Sequence, residues 1–160
     1  MIDKPAFIAL IDAKSPMLYR IARAILRREE DCSDALQEAI LKAWAARHTL
    51  REDAYFGTWI ARIVIRECHT LQRKQAKYYL KAEVMPEEEM PAPYDDLHRA
   101  IDDLPEKLRL PLVLHYIEGY TLQEVATIIH LPVTTIRNRL YAARKKLRLE
   151  LYEGKEAMRI

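Results

Sequence analysis

The chain has 160 residues, 50% of them hydrophobic and 31% charged, with a formal net charge of +2. That make-up suits one ordinary folded domain or two very small ones, and the longest apolar run near the start, Ala6 to Ile11, is too short for a membrane span or a signal-peptide core. The charge is unevenly spread: residues 1–80 carry +4, residues 81–104 carry −6 and residues 105–160 carry +4. The short apolar run leads to the expectation of a cytoplasmic protein, and the charge blocks to two nucleic-acid-facing modules joined by an acidic linker. With 3 Gly and no alternating β-branched runs, the expected fold class is all-α. Cys32 and Cys68 have no metal-ligand spacing and read as reduced, structural side chains.

In chain order, a first helix is expected over about Pro5–Ala13. Ser15 and Pro16 read as the N-cap and first position of a second helix, with Leu18, Ile21, Ala22, Ile25 and Leu26 on one face. A third helix starts near Asp31 or Ser33, with Leu36, Ala39, Ile40, Ala43 and Trp44 at helical spacing. After the polar loop "RHTLREDA", a fourth helix covers about Tyr55–Ala76. Its apolar stripe is Phe56, Ile60, Ile63, Val64 and Leu71, and its other side offers Arg62, Arg66, Arg73, Lys74 and Lys77.

The strip "KAEVMPEEEMPAPYDD", Lys81 to Asp96, holds three prolines and little periodicity, and reads as an extended linker. Beyond it, Leu97, Ala100, Ile101 and Leu104 form a short helix. Pro105 and Glu106 open the next one, Pro111 should kink or break it, and Gly119 should cap its end.

Thr121 and Glu124 have capping-box spacing, with Leu122, Val125, Ala126 and Ile129 as the inner face. His130 falls where a left-handed turn residue is wanted. From about Val133 a last helix begins. Its Ile136, Leu140, Ala143, Leu147 and Leu151 fall within about 80° of one another at helical periodicity. Between Val133 and Leu149 it carries six Lys or Arg and no acid. Two helices and a tight turn, the second helix basic, make a helix-turn-helix whose second helix suits the major groove. Arg137 and Asn138 are the candidates for base edges, with Tyr141 on the same flank. Thr134 and Thr135 suit phosphates, and Arg144, Lys145, Lys146 and Arg148 supply salt-sensitive, sequence-independent affinity. No nucleophile–base pair, phosphate loop or metal set is present, so no catalytic residue, metal, cofactor or small-molecule substrate is expected.

At these residues a family resemblance emerges. "LPEKLRLPLVLHYIEGYTLQEVATIIHLPVTTIRNRLYAARKKLRLEL", Leu104 to Leu151, resembles region 4 of bacterial sigma factors of the extracytoplasmic-function (ECF) group. "SDALQEAILKAW", Ser33 to Trp44, resembles the region 2 helix that binds core RNA polymerase. "YFGTWIARIVIRECHTLQRKQ", Tyr55 to Gln75, resembles the helix that opens and reads the minus-ten element. The resemblance implies two helical domains: region 2 over 1–77, a linker over 78–95, region 4 over 96–153 and a tail over 154–160.

It implies that Asp34, Gln37, Glu38, Leu41 and Trp44 dock on the β′ clamp helices of the polymerase. Tyr55, Trp59, Arg62, Arg66, Arg73 and Lys74 would meet the minus-ten strand, with Tyr55 suited to stacking on an unpaired base. The last helix would bind the minus-thirty-five duplex near the β flap. The linker would pass through the polymerase's RNA exit path, and neutralising Glu87, Glu88 and Glu89 is expected to weaken the holoenzyme or alter promoter escape. An anti-sigma partner is implied as well. The chain departs from the pattern at Arg66, where the family commonly has Asn, at Thr70, where it often has Asp, and at Ala142, where Arg is frequent; Arg66 can hold a phosphate but does not read a base edge as Asn does. The other reading of the residues is a stand-alone, dimeric helix-turn-helix regulator with an N-terminal effector or dimerisation domain, which leaves "DALQEAILKAW", Asp34 to Trp44, and the aromatic and basic fourth helix without a purpose.

Overall fold

A computed structural model describes residues 1–86 and 95–157. The chain divides into two compact units, Met1–Glu89 and Met90–Ile160. All regular structure among the described residues is helical, as the composition led one to expect. Glu87, Glu88 and Glu89 lie outside the described residues.

The first unit is built from α1 (Lys4–Ile25), α2 (Glu29–Ala45) and α3 (Phe56–Ala82). Asp3 caps α1 by accepting from the Ala6 N–H at 2.9 Å. The two helices expected on either side of Ser15 are one: α1 runs straight through Pro16. Pro16 is exposed, so the carbonyl it orphans can turn to water, and Ser15 Oγ donates back to the Ile11 carbonyl at 2.9 Å instead of capping a new helix. The face foreseen for this stretch is correct, with Leu18, Ile21, Ala22, Ile25 and Leu26 all buried.

On α2 the expected stripe is buried at Ala39 and Ala43, and the innermost line runs through small residues. Cys32, Ala35, Ala39 and Ala43 are buried, while Leu36, Ile40 and Trp44 are half-buried shoulders. Small side chains on that line allow a neighbouring helix to come close, and α2 packs mainly against α3. The buried apolar residues of α3, which packs on both α1 and α2, are Phe56, Ile60, Ala61, Val64, Ile65 and Cys68. Ile63 and Leu71, placed on the stripe by periodicity, are half-buried.

Glu67 on α3 is buried to 6% exposure, where an unpaired carboxylate is costly. Lys42 of α2 meets it at 2.8 Å. The Lys42 ammonium is held above the ordinary lysine range, first by that hydrogen bond. Gln72 and Gln75 of α3 reach the backbone of Ile25 at 3.1 Å and Asp31 Oδ1 at 2.8 Å, fastening α3 to the α1–α2 turn. α3 outlasts the expected end near Ala76 by more than a turn and stops at Glu83, whose φ of 52° is left-handed.

The second unit is formed by α4 (Asp96–Asp102), α5 (Glu106–Leu112), α6 (Leu122–Ile129) and α7 (Val133–Ala157). Asp95 caps α4 by accepting from the His98 N–H at 2.9 Å. Arg109, 4% exposed, donates to the Asp102 carbonyl at 3.0 Å and to that of Leu104, so a buried cation closes the α4–α5 corner by taking up carbonyls.

Pro111 does not break its helix. It lies in the second turn of α5, and the irregularity comes just after it, as a π-helical turn over Val113–Ile117. The wide turn closes with the Glu118 N–H on Val113 O at 2.9 Å and the Tyr120 N–H on Leu114 O at 3.0 Å. Gly119, at φ +79°, supplies the left-handed step that follows.

Candidate nucleic-acid interface

The second unit carries the clearer geometry. The capping box forms as its spacing requires: the Glu124 N–H donates to Thr121 Oγ1 at 3.1 Å and the Thr121 N–H to Glu124 Oε1 at 3.0 Å. α6 ends at His130, whose φ 64°, ψ 47° is the left-handed turn conformation. Val125 is buried as expected, and so is Ile128, which the expected inner face omitted; Leu122, Ala126 and Ile129 are half-buried. α7 then seats Ile136, Leu140 and Ala143 in the core at 0–2% exposure, while Leu147 and Leu151 are half-buried.

With that face fixed inward, an adjoining flank of α7 faces solvent. Arg137, Tyr141, Arg144 and Arg148 fall within about 60° of one another at helical periodicity, and all four are exposed, as are Thr134, Asn138 and Lys145. Thr135 alone of the sequence-predicted set is half-buried. The result is one amphipathic helix with its apolar half in the unit and a cationic row outside.

Sequence reasoning missed a residue that touches this row. Arg144 Nη1 donates to the Tyr116 hydroxyl, across 28 positions of sequence. Tyr116 sits in the π-helical turn and is itself exposed. No spacing rule links the two, because an irregular turn sets where Tyr116 points. Behind it, His115 packs edge-on against the Tyr116 ring at 4.8 Å. His115 Nδ1 lies 2.7 Å from the Tyr120 carbonyl, which only accepts, so Nδ1 carries the proton. Burial pushes the phenol of Tyr120 up to about 12.

In the first unit, Trp59, Arg62, Arg66 and Arg73 fall within about 60° of one another on α3, opposite its buried face. Arg66, Arg73 and Lys74 are exposed; Trp59 and Arg62 are half-buried. Thr70 Oγ1 donates to the Arg66 carbonyl at 2.9 Å and accepts from Arg73 at 3.2 Å, so Thr70 steadies Arg73 along the row. Tyr55, 61% exposed, stands at the start of the row, while its neighbour Phe56 is core at 1%.

The loop before α3 is held in place by its own contacts. Thr49 Oγ1 donates to the Ala46 carbonyl at 2.7 Å and accepts from the Trp59 indole N–H at 3.0 Å. Trp59 thus clasps the loop that ends in Tyr55, a role its sequence position did not disclose.

On α2, Asp34, Gln37, Glu38 and Leu41 share the face opposite the buried alanines, and all are exposed. Leu41 is 65% exposed among polar neighbours, an apolar side chain with no place in the unit's own core. Trp44 is divided between roles. Its ring packs edge-on to Phe7 at 5.2 Å, and the Arg47 guanidinium lies 3.9 Å from its centroid. Among the described residues no cluster of His, Cys, Asp and Glu could hold a metal, and no helix is long and apolar enough to cross a membrane.

Comparison with known proteins gives two ordered family matches. Residues 10–78 match the model of sigma-70 region 2, and residues 94–147 match that of sigma-70 region 4. The ECF RNA polymerase sigma factor SigM of Mycobacterium tuberculosis is 31% identical over 150 residues, covering 91% of this chain and 76% of the relative. RNA polymerase sigma factor SigV of Bacillus subtilis is 29% identical over 153 residues, covering 92% of each chain. Among solved structures, the sigma factor RpoE in complex with the anti-sigma factor NepR from Bartonella quintana aligns with a TM-score of 0.81 at 22% identity, over 91% of this chain and 96% of that one. CnrH in complex with the cytosolic domain of CnrY aligns with a TM-score of 0.70 at 25% identity, over 94% and 90%.

Proposed function

The chain belongs to the sigma-70 family as an ECF sigma factor, which directs core RNA polymerase to promoters and initiates transcription, and from that premise we propose how its residues divide the work. The observation that carries the proposal is the pairing of two outward rows, each on a helix whose other side is locked into its own unit. The aromatic and cationic row of α3 meets the opened minus-ten strand, with Tyr55 stacking on an unpaired base and Arg62, Arg66, Arg73 and Lys74 following phosphates. The cationic row of α7 binds the minus-thirty-five duplex: Arg137, Asn138 and Tyr141 lie nearest the base edges, Thr134 and Thr135 at the first turn meet phosphates, and Arg144, Lys145 and Arg148 lie further along the backbone.

The boundaries proposed for these roles are 1–77 for region 2, 78–95 for the linker, 96–153 for region 4 and 154–160 for the tail. The protein acts without catalytic chemistry of its own, in the cytoplasm where the polymerase works. The RpoE structure contains an anti-sigma factor, and a partner of that kind is proposed here too. A stand-alone helix-turn-helix regulator is not favoured, since it leaves the region 2 match over 10–78 unused.

The test is transcription with purified core polymerase. The chain should bind an asymmetric promoter tightly only as holoenzyme. Tight binding of a palindromic duplex by the chain alone, with no stimulation by core, would refute the proposal.

The polymerase-facing set has its own test. The exposed Gln37 and Glu38 on α2, beside Leu41, suit docking on a basic coiled coil. Both side chains are exposed and Glu38 meets Lys42 only loosely, at 4.0 Å, so on replacing both with Ala the thermal midpoint should hold. Core affinity should fall several-fold, on the order of 1 kcal/mol for lost polar contacts. Competition for core against the unmodified chain measures this, and an unchanged affinity would reassign that face.

A further inference from the structure

The hydrogen bond between Tyr116 and Arg144 joins an element outside the helix-turn-helix to the second helix of that motif. We propose that Tyr116 and Arg144 form a two-residue clamp for one DNA phosphate on the minus-thirty-five duplex, with Tyr116 also positioning the Arg144 guanidinium. The proposal rests on the region 4 reading above and deepens it by assigning a contact to the π-helical turn.

Three observations support it. First, Arg144 lies in the same outward row as Arg137, Tyr141 and Arg148, seven residues beyond Arg137, or about 10 Å along the helix axis. That distance carries it past the first turns, which reach base edges, and toward the backbone.

Second, the chemistry of the pair is complementary to a phosphate oxygen. The phenol oxygen accepts from Arg144, so its own O–H remains a donor, and the remaining guanidinium N–H groups are donors too. A phosphate oxygen accepts from both, and hydrogen bonds to it are charge-assisted. An arginine alone on an exposed helix face must give up many rotamers to make that contact; one already held by a phenol gives up fewer.

Third, the tyrosine is braced and yet open. Its ring rests against His115, whose Nδ1 is anchored on the Tyr120 carbonyl. The wide turn over Val113–Ile117 buries Val113 and Leu114 and leaves Tyr116 51% exposed. Single π-helical turns of this kind recur at functional sites.

The experiment is a double-mutant cycle in the reconstituted holoenzyme, with Tyr116→Phe, Arg144→Ala and both together. Affinity is measured for a promoter with its minus-thirty-five element and for one in which that element is scrambled, across a salt series, beside the thermal midpoint of each chain. Tyr116→Phe should weaken binding about three- to tenfold, equally across minus-thirty-five sequence variants because a phosphate contact carries no sequence information. Arg144→Ala should lower the slope of log affinity against log salt by about one. In the Arg144→Ala background the Tyr116→Phe change should cost less than about twofold.

A lowered thermal midpoint with unchanged DNA affinity for Tyr116→Phe would make the bond an internal strut and overturn the clamp. Independent, additive losses would overturn the positioning role. If the unmodified holoenzyme is indifferent to scrambling the element, the region 4 reading itself fails; if Arg144→Ala weakens binding and Tyr116→Phe does not, only the clamp fails.

Discussion

Replacing Phe56 with Ala is expected to destabilise the first unit by about 3–5 kcal/mol. Phe56 is 1% exposed and opens α3. Its ring meets Phe7 of α1 edge-on at 6.2 Å and Trp59 at 5.7 Å, and Phe7 in turn meets Trp44 of α2 at 5.2 Å. Four rings therefore connect all three helices, and such pairs add about 0.5–1.5 kcal/mol each beyond the area they bury. Truncation leaves a cavity at the junction, and a small domain has only about 5–15 kcal/mol to lose.

The measurement is urea unfolding followed by tryptophan fluorescence. The chain has two Trp residues, Trp44 and Trp59, so the signal reports the first unit and not the second. The midpoint should drop sharply for Phe56→Ala and much less for Phe56→Leu, which fills most of the space. An unchanged midpoint in the alanine variant would show that the rings do not hold the unit together. Function should follow stability, because Trp59 clasps Thr49 in the loop that presents Tyr55.

Arg137→Ala should cost about 1–3 kcal/mol at a single position of the minus-thirty-five element if Arg137 reads a base there. Arg137 stands in the second turn of α7, exposed, about a quarter turn around the helix from the buried face that Ile136 and Leu140 hold. Recognition helices read bases with residues near their N-terminal end. Binding of holoenzyme to a set of promoters varied one base pair at a time separates the possibilities. Relaxed preference at one position marks a base contact. A uniform loss over every variant, with a shallower salt slope, would demote Arg137 to a phosphate contact.

Much of the second unit was legible because its signals are local. Thr121 and Glu124 lie three residues apart, His130 ends a short periodic run, and Gly119 marks a turn; each was realised in place. The cationic row of α7 followed from periodicity alone. What escaped was set by tertiary context. Pro16 read as a helix start, yet its solvent-facing position lets one helix continue through it. Pro111 read as a kink or a break; it falls within the second turn of its helix, and the distortion appears just downstream as a π-helical turn, a form with no sequence signature. On α2, periodicity chose Leu36, Ala39, Ile40, Ala43 and Trp44; Ala39 and Ala43 are buried as expected, while the three large residues are half-buried and Cys32 and Ala35 complete the inner line.

In the candidate site the same division holds. Exposure of Asp34, Gln37, Glu38, Arg137 and Asn138 could be foreseen from one helix at a time. The Lys42–Glu67, Trp59–Thr49 and Arg144–Tyr116 contacts span 25, 10 and 28 residues, and only the assembled fold brings them together.

Both sulfhydryls, Cys32 and Cys68, are sealed at 0% exposure within the three-helix unit, and the rest of the chain has none. An alkylating reagent can reach them only when those helices part. The speed of labelling is thus a built-in clock for breathing of the first unit, silent to whatever the second unit does. A ligand that grips the first half tightly should slow that clock, without any dye or tag having been introduced.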